Sequence, residues 1–340
     1  MNFNKKTVLI ITCFVSCITC LAQNKLPDTI ASRVISLKYH EDLVSVLIKS
    51  KKGEENIKKP LFLYVQGSLD RPLIINYPNN KNFKYSIAFP FNTENLVDKY
   101  HVAVISKPFI PVVANIKNVD NNYCYIDSIT NKIPINFSKN DNLKYLTNRN
   151  LFVIKQLQKE KYINNTALTI LGHSEGSRIA VEMATKSKKI TQLIYLSGNP
   201  FGRFINTIGE DRNSETETDN FTDEDFDYWK KIVANKNVNN YKDCGDTFIS
   251  TFVYSKSYIK QFLKLKIPVF IGYGTKDNVS IFNDYLRLEA IRLSKSNFVF
   301  HAYIGLEHSF YPVLKNGEID HKNSKIDTVI ADCIKWIYEN

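Results

Sequence analysis

A serine between two glycines is the residue of this sequence with the clearest potential for chemistry. Residues Gly172–Gly176 read Gly-His-Ser-Glu-Gly, a G-x-S-x-G pattern with Ser174 at its centre. A serine hydroxyl becomes a useful nucleophile when a base takes its proton and a third group orients that base. In a G-x-S-x-G elbow the serine sits on a sharp strand-to-helix turn that exposes its Oγ. The pattern therefore predicts a nucleophilic role for Ser174.

The segments on either side of this pattern favour an elbow over an ordinary turn that happens to contain a serine. Ala167–Leu171 is an apolar, β-prone run, and Ser177–Thr185 is typical of a helix. Adjacent side chains at such a turn diverge, so we expect His173 to pack against its surroundings and not to act as the base.

A base and an acid for Ser174 are expected at the ends of later strands. Of the six histidines, only His308 lies in a loop directly after the last predicted strand. Asp277 follows the preceding strand in a Gly-x-x-Asp context, and the chain order is then nucleophile, acid, base. Asp277 could instead cap the helix that follows it, with Asp284 as the alternative acid.

The oxyanion of an acyl-transfer transition state requires fixed N–H donors. One predicted donor is the backbone N–H of Glu175, which follows the nucleophile at a helix start. The other is the N–H of Ser68, in the loop Gln66–Ser68 that ends an early strand. The alternative for that loop is a turn that Gly67 merely permits.

Strands alternate with helices along most of the chain. The predicted strands are Arg33–Tyr39, Leu43–Ile48, Leu61–Val65, Val102–Ile105, Ala167–Leu171, Gln192–Leu196, Ile267–Tyr273 and Phe298–Tyr303. The predicted helices are Asn142–Lys161, Ser177–Thr185, Ile281–Leu293 and Ile326–Tyr338. This alternation predicts an α/β fold with a mostly parallel central sheet and helices on both faces, in one domain over residues 23–340.

A segment over about 200–266 interrupts this alternation and is predicted to be a cap insertion. It contains nine acidic residues: Glu210, Asp211, Glu215, Glu217, Asp219, Asp223, Glu224, Asp225 and Asp227. A solvated acidic loop is favoured over a site for a cationic or amine-bearing substrate. The interleaved aromatic residues Phe221, Phe226, Tyr228 and Trp229 could line an acyl pocket or anchor the cap.

The first 22 residues are predicted to be a signal peptide. Lysines at positions 5 and 6 precede the charge-free run Thr7–Leu21, and cleavage is expected after Ala22. The apolar run is shorter than the roughly 20 residues of a membrane span. The mature protein is therefore expected to be secreted or periplasmic. A lipoprotein leader is the alternative, because Val15–Cys17 resembles part of a lipobox.

Charge and cysteine content exclude some classes of partner. The formal net charge is +11, but the lysines are scattered and no nucleic-acid motif accompanies them, so no nucleic acid is expected as a partner. Cys124, Cys244 and Cys333 follow the leader, without metal-ligand spacing. Free buried thiols are favoured, and a single Cys124–Cys244 bridge is the alternative.

Three short motifs together resemble the α/β-hydrolase superfamily. They are Gly172–Ile179 (GHSEGSRI), Gly274–Asp277 (GTKD) and Gly305–His308 (GLEH), and the first is similar to secreted bacterial serine hydrolases and stand-alone prolyl-oligopeptidase-like proteins. The resemblance covers most of the mature chain, although Gln66-Gly67 departs from the His-Gly of many members. It implies an acyl-enzyme formed on Ser174, without a cofactor or a metal.

The expected partner is a small-molecule ester or a peptide. Peptidase relatives often carry an N-terminal propeller for which 340 residues leave no room, so a carboxylic ester is favoured. A serine peptidase on the same triad and a binding protein without turnover are the alternatives.

Overall fold

The computed structural model describes residues 32–80, 84–239 and 246–340, so the predicted leader and Cys244 lie outside the described residues. The strands are β1 Ser32–Tyr39, β2 Asp42–Lys49, β3 Lys59–Val65, β4 Ile74–Asn76, β5 Tyr85–Ile87, β6 His101–Ile105, β7 Val113–Asn115, β8 Ile163–His173, β9 Gln192–Leu196, β10 Val269–Gly274 and β11 Phe298–Tyr303. The helices are α1 Glu94–Val97, α2 Ile135–Asn140, α3 Leu143–Leu157, α4 Glu175–Lys186, α5 Phe204–Ser214, α6 Phe221–Ala234, α7 Phe248–Tyr254, α8 Ile259–Phe262, α9 Ser280–Arg292 and α10 Ile326–Glu339.

Eight strands form one sheet in the order β1-β2-β6-β3-β8-β9-β10-β11. Strand β2 is antiparallel to both of its neighbours, and the other neighbouring pairs are parallel. Parallel neighbours need crossover connections, which the helices supply. The strand order and the single reversed strand define the α/β-hydrolase fold, which confirms the fold predicted from the sequence.

The central strands are buried on both faces because helices cover both sides of the sheet. In β3, Leu61 and Leu63 pack into one apolar cluster with α3, α4, α8 and α9. The alternate residues Phe62 and Tyr64 pack into a second cluster with α1 and α10. Each fully buried side chain of this size stabilises the fold by about 1.5–3 kcal/mol. This two-sided core fixes the strand ends on which the candidate site is built.

The predicted and observed elements differ at some boundaries. Helix α3 ends at Leu157, earlier than the predicted Lys161, because the chain turns there to begin β8 at Ile163. Its start agrees with the prediction, since the Asn142 side chain caps it by accepting from the N–H of Tyr145 at 3.0 Å. A second, three-stranded sheet, β5-β4-β7, was not predicted. Its strands have three residues each, too few for a recognisable alternation.

A buried ion pair fixes the end of β6 beside the candidate site. The Nε atom of Arg149, on α3, donates to Oδ2 of Asp42 at 2.5 Å, and both side chains are almost completely buried. The Nη1 atom of the same guanidinium donates to the main-chain carbonyl of Ser106 at 2.7 Å. Because Ser106 directly follows β6, this network also fixes the position of the next residue, Lys107.

The predicted cap segment contains helices α5–α8, between β9 and β10. Their aromatic side chains pack on one another: the ring of Trp229 stacks on Phe204, with centroids 4.9 Å apart, and on Phe252 at 6.0 Å. Of the two roles proposed for these aromatic residues, this packing favours anchoring of the cap helices.

The described cysteines are free thiols. Cys124 and Cys333 are both buried and unbridged. Burial raises the pKa of Cys124 to about 12, so its thiol is neutral at physiological pH. The structure thus agrees with the prediction of thiols packed as small apolar groups.

Candidate active site

Ser174 lies on a strained turn between β8 and α4. Its backbone has φ 57° and ψ −126°, outside the regions that non-glycine residues ordinarily adopt. The turn is tight enough to require both glycines. A Cβ on Gly172 would lie 2.4 Å from the carbonyl oxygen of Gly176, and one on Gly176 would lie 2.1 Å from that of Val65. Such strain at a serine between a strand and a helix is typical of a nucleophile elbow.

Ser174, His308 and Asp277 form one hydrogen-bonded chain. The Nε2 atom of His308 lies 2.9 Å from Oγ of Ser174, and its Nδ1 atom lies 2.9 Å from Oδ2 of Asp277. Asp277 follows β10, His308 follows β11, and Ser174 follows β8, so all three residues lie at the carboxyl edge of the sheet. The structure therefore brings together the three residues predicted as nucleophile, acid and base. Their catalytic roles remain a prediction.

Asp277 hydrogen-bonds to the imidazole of His308 and also accepts an N–H directly before the following helix. Helix α9 begins at Ser280, and the residue before it, Val279, makes no side-chain cap. The Oδ1 atom of Asp277 accepts from the N–H of Val279 at 3.1 Å, which leaves Oδ2 for His308. The alternative acid, Asp284, accepts instead from the hydroxyl of Tyr273 at 2.5 Å.

The two histidines beside Ser174 have pKa values shifted in opposite directions. Burial lowers the pKa of His308, but the hydrogen bond and charge of Asp277 outweigh it and raise the pKa above its usual 6.5. Burial, together with the nearby charge of His308, lowers the pKa of His173 to about 4. At neutral pH His173 is therefore uncharged, and His308 is the group poised to hold a proton.

His173 supports the loop that carries His308. Its Nε2 atom donates to the main-chain carbonyl of His308 at 3.0 Å, and its ring packs against Phe310. This packing role agrees with the one expected from the sequence. The hydrogen bond to the His308 loop was not predicted, because the two residues are far apart in the sequence.

Two side chains fix the loop that contains Ser68. The Nε2 atom of Gln66 donates to the main-chain carbonyl of Ile105 at 2.9 Å. The Nζ atom of Lys107 donates to the carbonyl of Gly67. No role for Lys107 was predicted, because it is adjacent to this loop only across the sheet.

The two predicted oxyanion donors have free N–H groups. Across the described ranges, neither the N–H of Ser68 nor that of Glu175 makes a hydrogen bond. Glu175 is the first residue of α4, where helix N–H groups are unsatisfied by other helix residues and the helix dipole favours negative charge. Ser68 faces the same space as Ser174. The oxyanion role of these two groups remains a prediction.

Two cavities of about 550 Å³ each flank Ser174 and His308, and Ser68 lines both. We call the one beneath helices α5 and α7, which Asp141, Arg203 and Tyr254 also line, the cap cavity. The other, between the Ser68 loop and strands β4 and β5, is the small-sheet cavity. Volumes of this size accommodate small organic molecules. A substrate centred on Ser174 thus has one space for each of its two arms.

The part of the chain that the structure describes shows neither a membrane-spanning helix nor a candidate metal site. None of its helices has both the length and the apolar content needed to cross a membrane. None of its His, Cys, Asp and Glu side chains form a group of three that could hold a metal ion.

Comparison with known proteins finds similarity at the level of solved structures. No protein-family model and no curated protein matches the sequence. The chain aligns with a 2,6-dihydroxy-pseudo-oxynicotine hydrolase at 16% identity over 82% of this chain and 62% of that one, with a TM-score of 0.46. It aligns with a Pyrococcus furiosus esterase at 10% identity over 84% of this chain and 86% of that one, with a TM-score of 0.47. It aligns with the Pyrococcus horikoshii acylaminoacyl peptidase at 13% identity over 84% of this chain and 38% of that one, with a TM-score of 0.48. The chain therefore spans less than two thirds of the first and third of these proteins.

Proposed function

We propose that this chain, which has the α/β-hydrolase fold, is a serine hydrolase that cleaves a carboxylic ester through an acyl-enzyme. The observation that carries the proposal is the pair of 2.9 Å hydrogen bonds that join Ser174 to His308 and His308 to Asp277. A serine, a histidine and a buried carboxylate that are hydrogen-bonded in this order are the components of a catalytic triad.

In the proposed reaction, Oγ of Ser174 attacks the ester carbonyl carbon while its proton passes to Nε2 of His308. The carbonyl oxygen becomes an oxyanion, which the N–H groups of Ser68 and Glu175 stabilise. The intermediate collapses, the bond from carbon to the alcohol oxygen breaks, and His308 returns the proton to the leaving alcohol. Water then attacks the acyl-serine with His308 as base, which releases the carboxylic acid and free Ser174.

Asp277 has an orienting role in this scheme. Its hydrogen bond holds the proton on Nδ1 of His308, so that Nε2 is available to accept the proton of Ser174. The charge of Asp277 also stabilises the imidazolium that forms. In comparable triads, loss of the orienting carboxylate costs on the order of 10⁴-fold in kcat.

Matched substrates test the reaction and its preference for esters. We expect the purified protein to release nitrophenol from short acyl nitrophenyl esters, and Ser174→Ala to lower that rate by at least about 10⁴-fold. Ser214→Ala, at an exposed position on α5, is the control variant. Absence of ester turnover over a series of acyl lengths would overturn the proposal. Faster turnover of the matching nitroanilides would favour the peptidase alternative.

We also propose that the chain is exported with cleavage after Ala22. The proposal is based on the lysines at positions 5 and 6 and the apolar run Thr7–Leu21. Sequencing of the exported protein should give Gln23 as the first residue. A mature chain that begins with acylated Cys17 would show the lipoprotein alternative, and an uncleaved chain would contradict both.

A further inference from the structure

Three buried carboxylates in the cap cavity have an oxygen without a hydrogen-bond partner. The atoms are Oδ2 of Asp70, Oδ1 of Asp141 and Oε1 of Glu175, and all three residues line this cavity beside Ser174. Asp70 and Asp141 are 4% and 3% exposed, and the Glu175 side chain is 6% exposed. A buried carboxylate oxygen without a donor is costly to the folded protein, so a donor on a bound group would stabilise these atoms.

A buried hydroxyl in the same cavity points to a ligand independently of the acidic residues. The side chain of Tyr254, which is 3% exposed, has a hydroxyl without a partner and also lines the cap cavity. The residues that carry these unpartnered acceptor atoms thus all line the cap cavity. A substrate group with more than one N–H donor can bond to more than one of them.

The charges of the cavity wall favour a cation in that space. Four carboxylates line it, those of Asp70, Asp141, Glu175 and Asp246, against two guanidinium groups. One of these, Arg203, already pairs with both Glu175 and Asp246. Among the described residues, Asp141 makes no ion pair within 4 Å, although the charge of the buried Lys107 acts on both Asp141 and Asp70. An excess of buried negative charge is stabilised by a cation that enters with the substrate.

The second guanidinium offers a competing possibility. Arg178 lies over the ring of Tyr258 at 4.0 Å and approaches Glu182 at 3.6 Å, but its Nε and Nη1 atoms have no partner. Those donors could bind a carboxylate of the substrate. The carboxylate excess favours the amine, and the experiment below separates the two.

We propose that the cap cavity binds an ammonium group of the substrate, with Asp141 as its principal ion-pair partner and Glu175 as a second acceptor. This inference rests on the proposed function and narrows its substrate to an ester that carries a primary or secondary ammonium group. The nearby positive charges of Lys107 and Arg203 partly offset the burial that raises the pKa of Asp141, and a bound ammonium acts in the same direction.

The experiment compares how fast alkyl fluorophosphonates of equal length label Ser174. One carries a terminal primary ammonium group (NH3+), one a neutral methyl group in its place and one a terminal carboxylate. Labelling requires only an active nucleophile, so the result does not depend on finding the right ester. We expect the cationic probe to react roughly 10- to 100-fold faster than the neutral one, the range given by charge-assisted hydrogen bonds.

Two variants assign the effect to the cavity. Asp141→Asn, which keeps the shape of the side chain, should bring the ratio of cationic to neutral labelling close to one. Glu175→Gln should lower the ratio less, and it replaces Asp141→Asn as the decisive variant if the latter does not fold. Glu217→Gln, in the exposed acidic stretch of the cap, is the control for general negative charge and should keep the wild-type ratio.

The outcomes separate this inference from the proposed function. Equal labelling by the cationic and neutral probes would overturn the ammonium site and leave the serine hydrolase intact. Faster labelling by the carboxylate probe would overturn it in favour of Arg178. A ratio that falls in Glu217→Gln as much as in Asp141→Asn would place the effect outside the cavity. Absence of labelling by any probe would overturn both proposals.

Discussion

His173 donates a hydrogen bond from Nε2 to the main-chain carbonyl of His308, so the residue before the candidate nucleophile supports the loop that carries the candidate base. The distance is 3.0 Å, and the two imidazole rings lie 5.3 Å apart. The strand that presents Ser174 therefore also fixes the distance between Ser174 and His308. Their geometry depends on a contact that takes no part in proton transfer.

Loss of this contact should lower the rate without removing the triad. We expect His173→Ala to reduce kcat by about 10- to 100-fold, because displacement of a catalytic group by about 1 Å costs up to 10²-fold. KM should change less than kcat. His173→Gln, which can donate from its amide to the same carbonyl, should recover part of the rate. Steady-state ester hydrolysis by the three proteins measures both effects.

The control is His321→Ala, since His321 is exposed, packs against Tyr311 and lines neither cavity beside Ser174. A wild-type kcat in His173→Ala would show that the loop holds His308 without this hydrogen bond.

The pH dependence of the reaction should report the raised pKa of His308. Only neutral His308 accepts the proton of Ser174, and Asp277 raises its pKa above 6.5 by stabilising the imidazolium. We therefore expect kcat/KM to fall as the pH decreases through a single pKa above 6.5. In Asp277→Asn the carboxylate is lost, so the pKa of the same limb should move to lower pH while the plateau rate falls.

A pH–rate profile of wild type and Asp277→Asn, each with the same ester, is the measurement. An unshifted acid limb in Asp277→Asn would mean that another group controls it.

The glycines of the elbow should be essential for stability as well as for activity. A Cβ on Gly176 would lie 2.1 Å from the carbonyl oxygen of Val65, a backbone atom that cannot rotate away. We expect Gly176→Ala to lower the free energy of unfolding by about 1–3 kcal/mol, the usual cost of overpacking, or to prevent folding. Denaturant titration followed by circular dichroism measures the change.

Gly209→Ala is the matched control. Gly209 lies in α5 with open space at the position of its Cβ, so alanine should stabilise the protein by about 0.5–1 kcal/mol through the lower entropy of the unfolded chain. The two variants are expected to change the free energy of unfolding in opposite directions, so the titration distinguishes them. A neutral Gly176→Ala would indicate that the elbow can relax away from β3.

The elbow and the order of the triad were predictable because each lies in a short local pattern. Ser174 lies between a recognisable strand and helix, and Asp277 and His308 each follow a strand whose apolar residues stand out in the sequence. Strand β9 agrees with its predicted bounds, Gln192–Leu196, for the same reason. A local sequence pattern therefore predicts a strand or a helix and the residue that directly follows it.

The walls of the cap cavity could not be predicted, because they come together only through tertiary packing. Asp141 lies between two helices that precede the elbow, while Arg203 and Tyr254 belong to the cap segment. Nothing in the spacing of these residues indicates that they line one cavity. The most conspicuous acidic feature of the sequence is instead the acidic stretch of the cap, most of which is exposed.

The most direct test of the central claim is the reaction of the folded protein with a simple fluorophosphonate, followed by intact mass measurement and peptide mapping. If Ser174 is activated by His308 and Asp277, we expect one adduct per chain, located on Ser174. It should be lost in Ser174→Ala and form much more slowly in His308→Gln. A folded protein that remains unlabelled, or an adduct on another residue at the same rate, would contradict the assignment of Ser174 as the nucleophile.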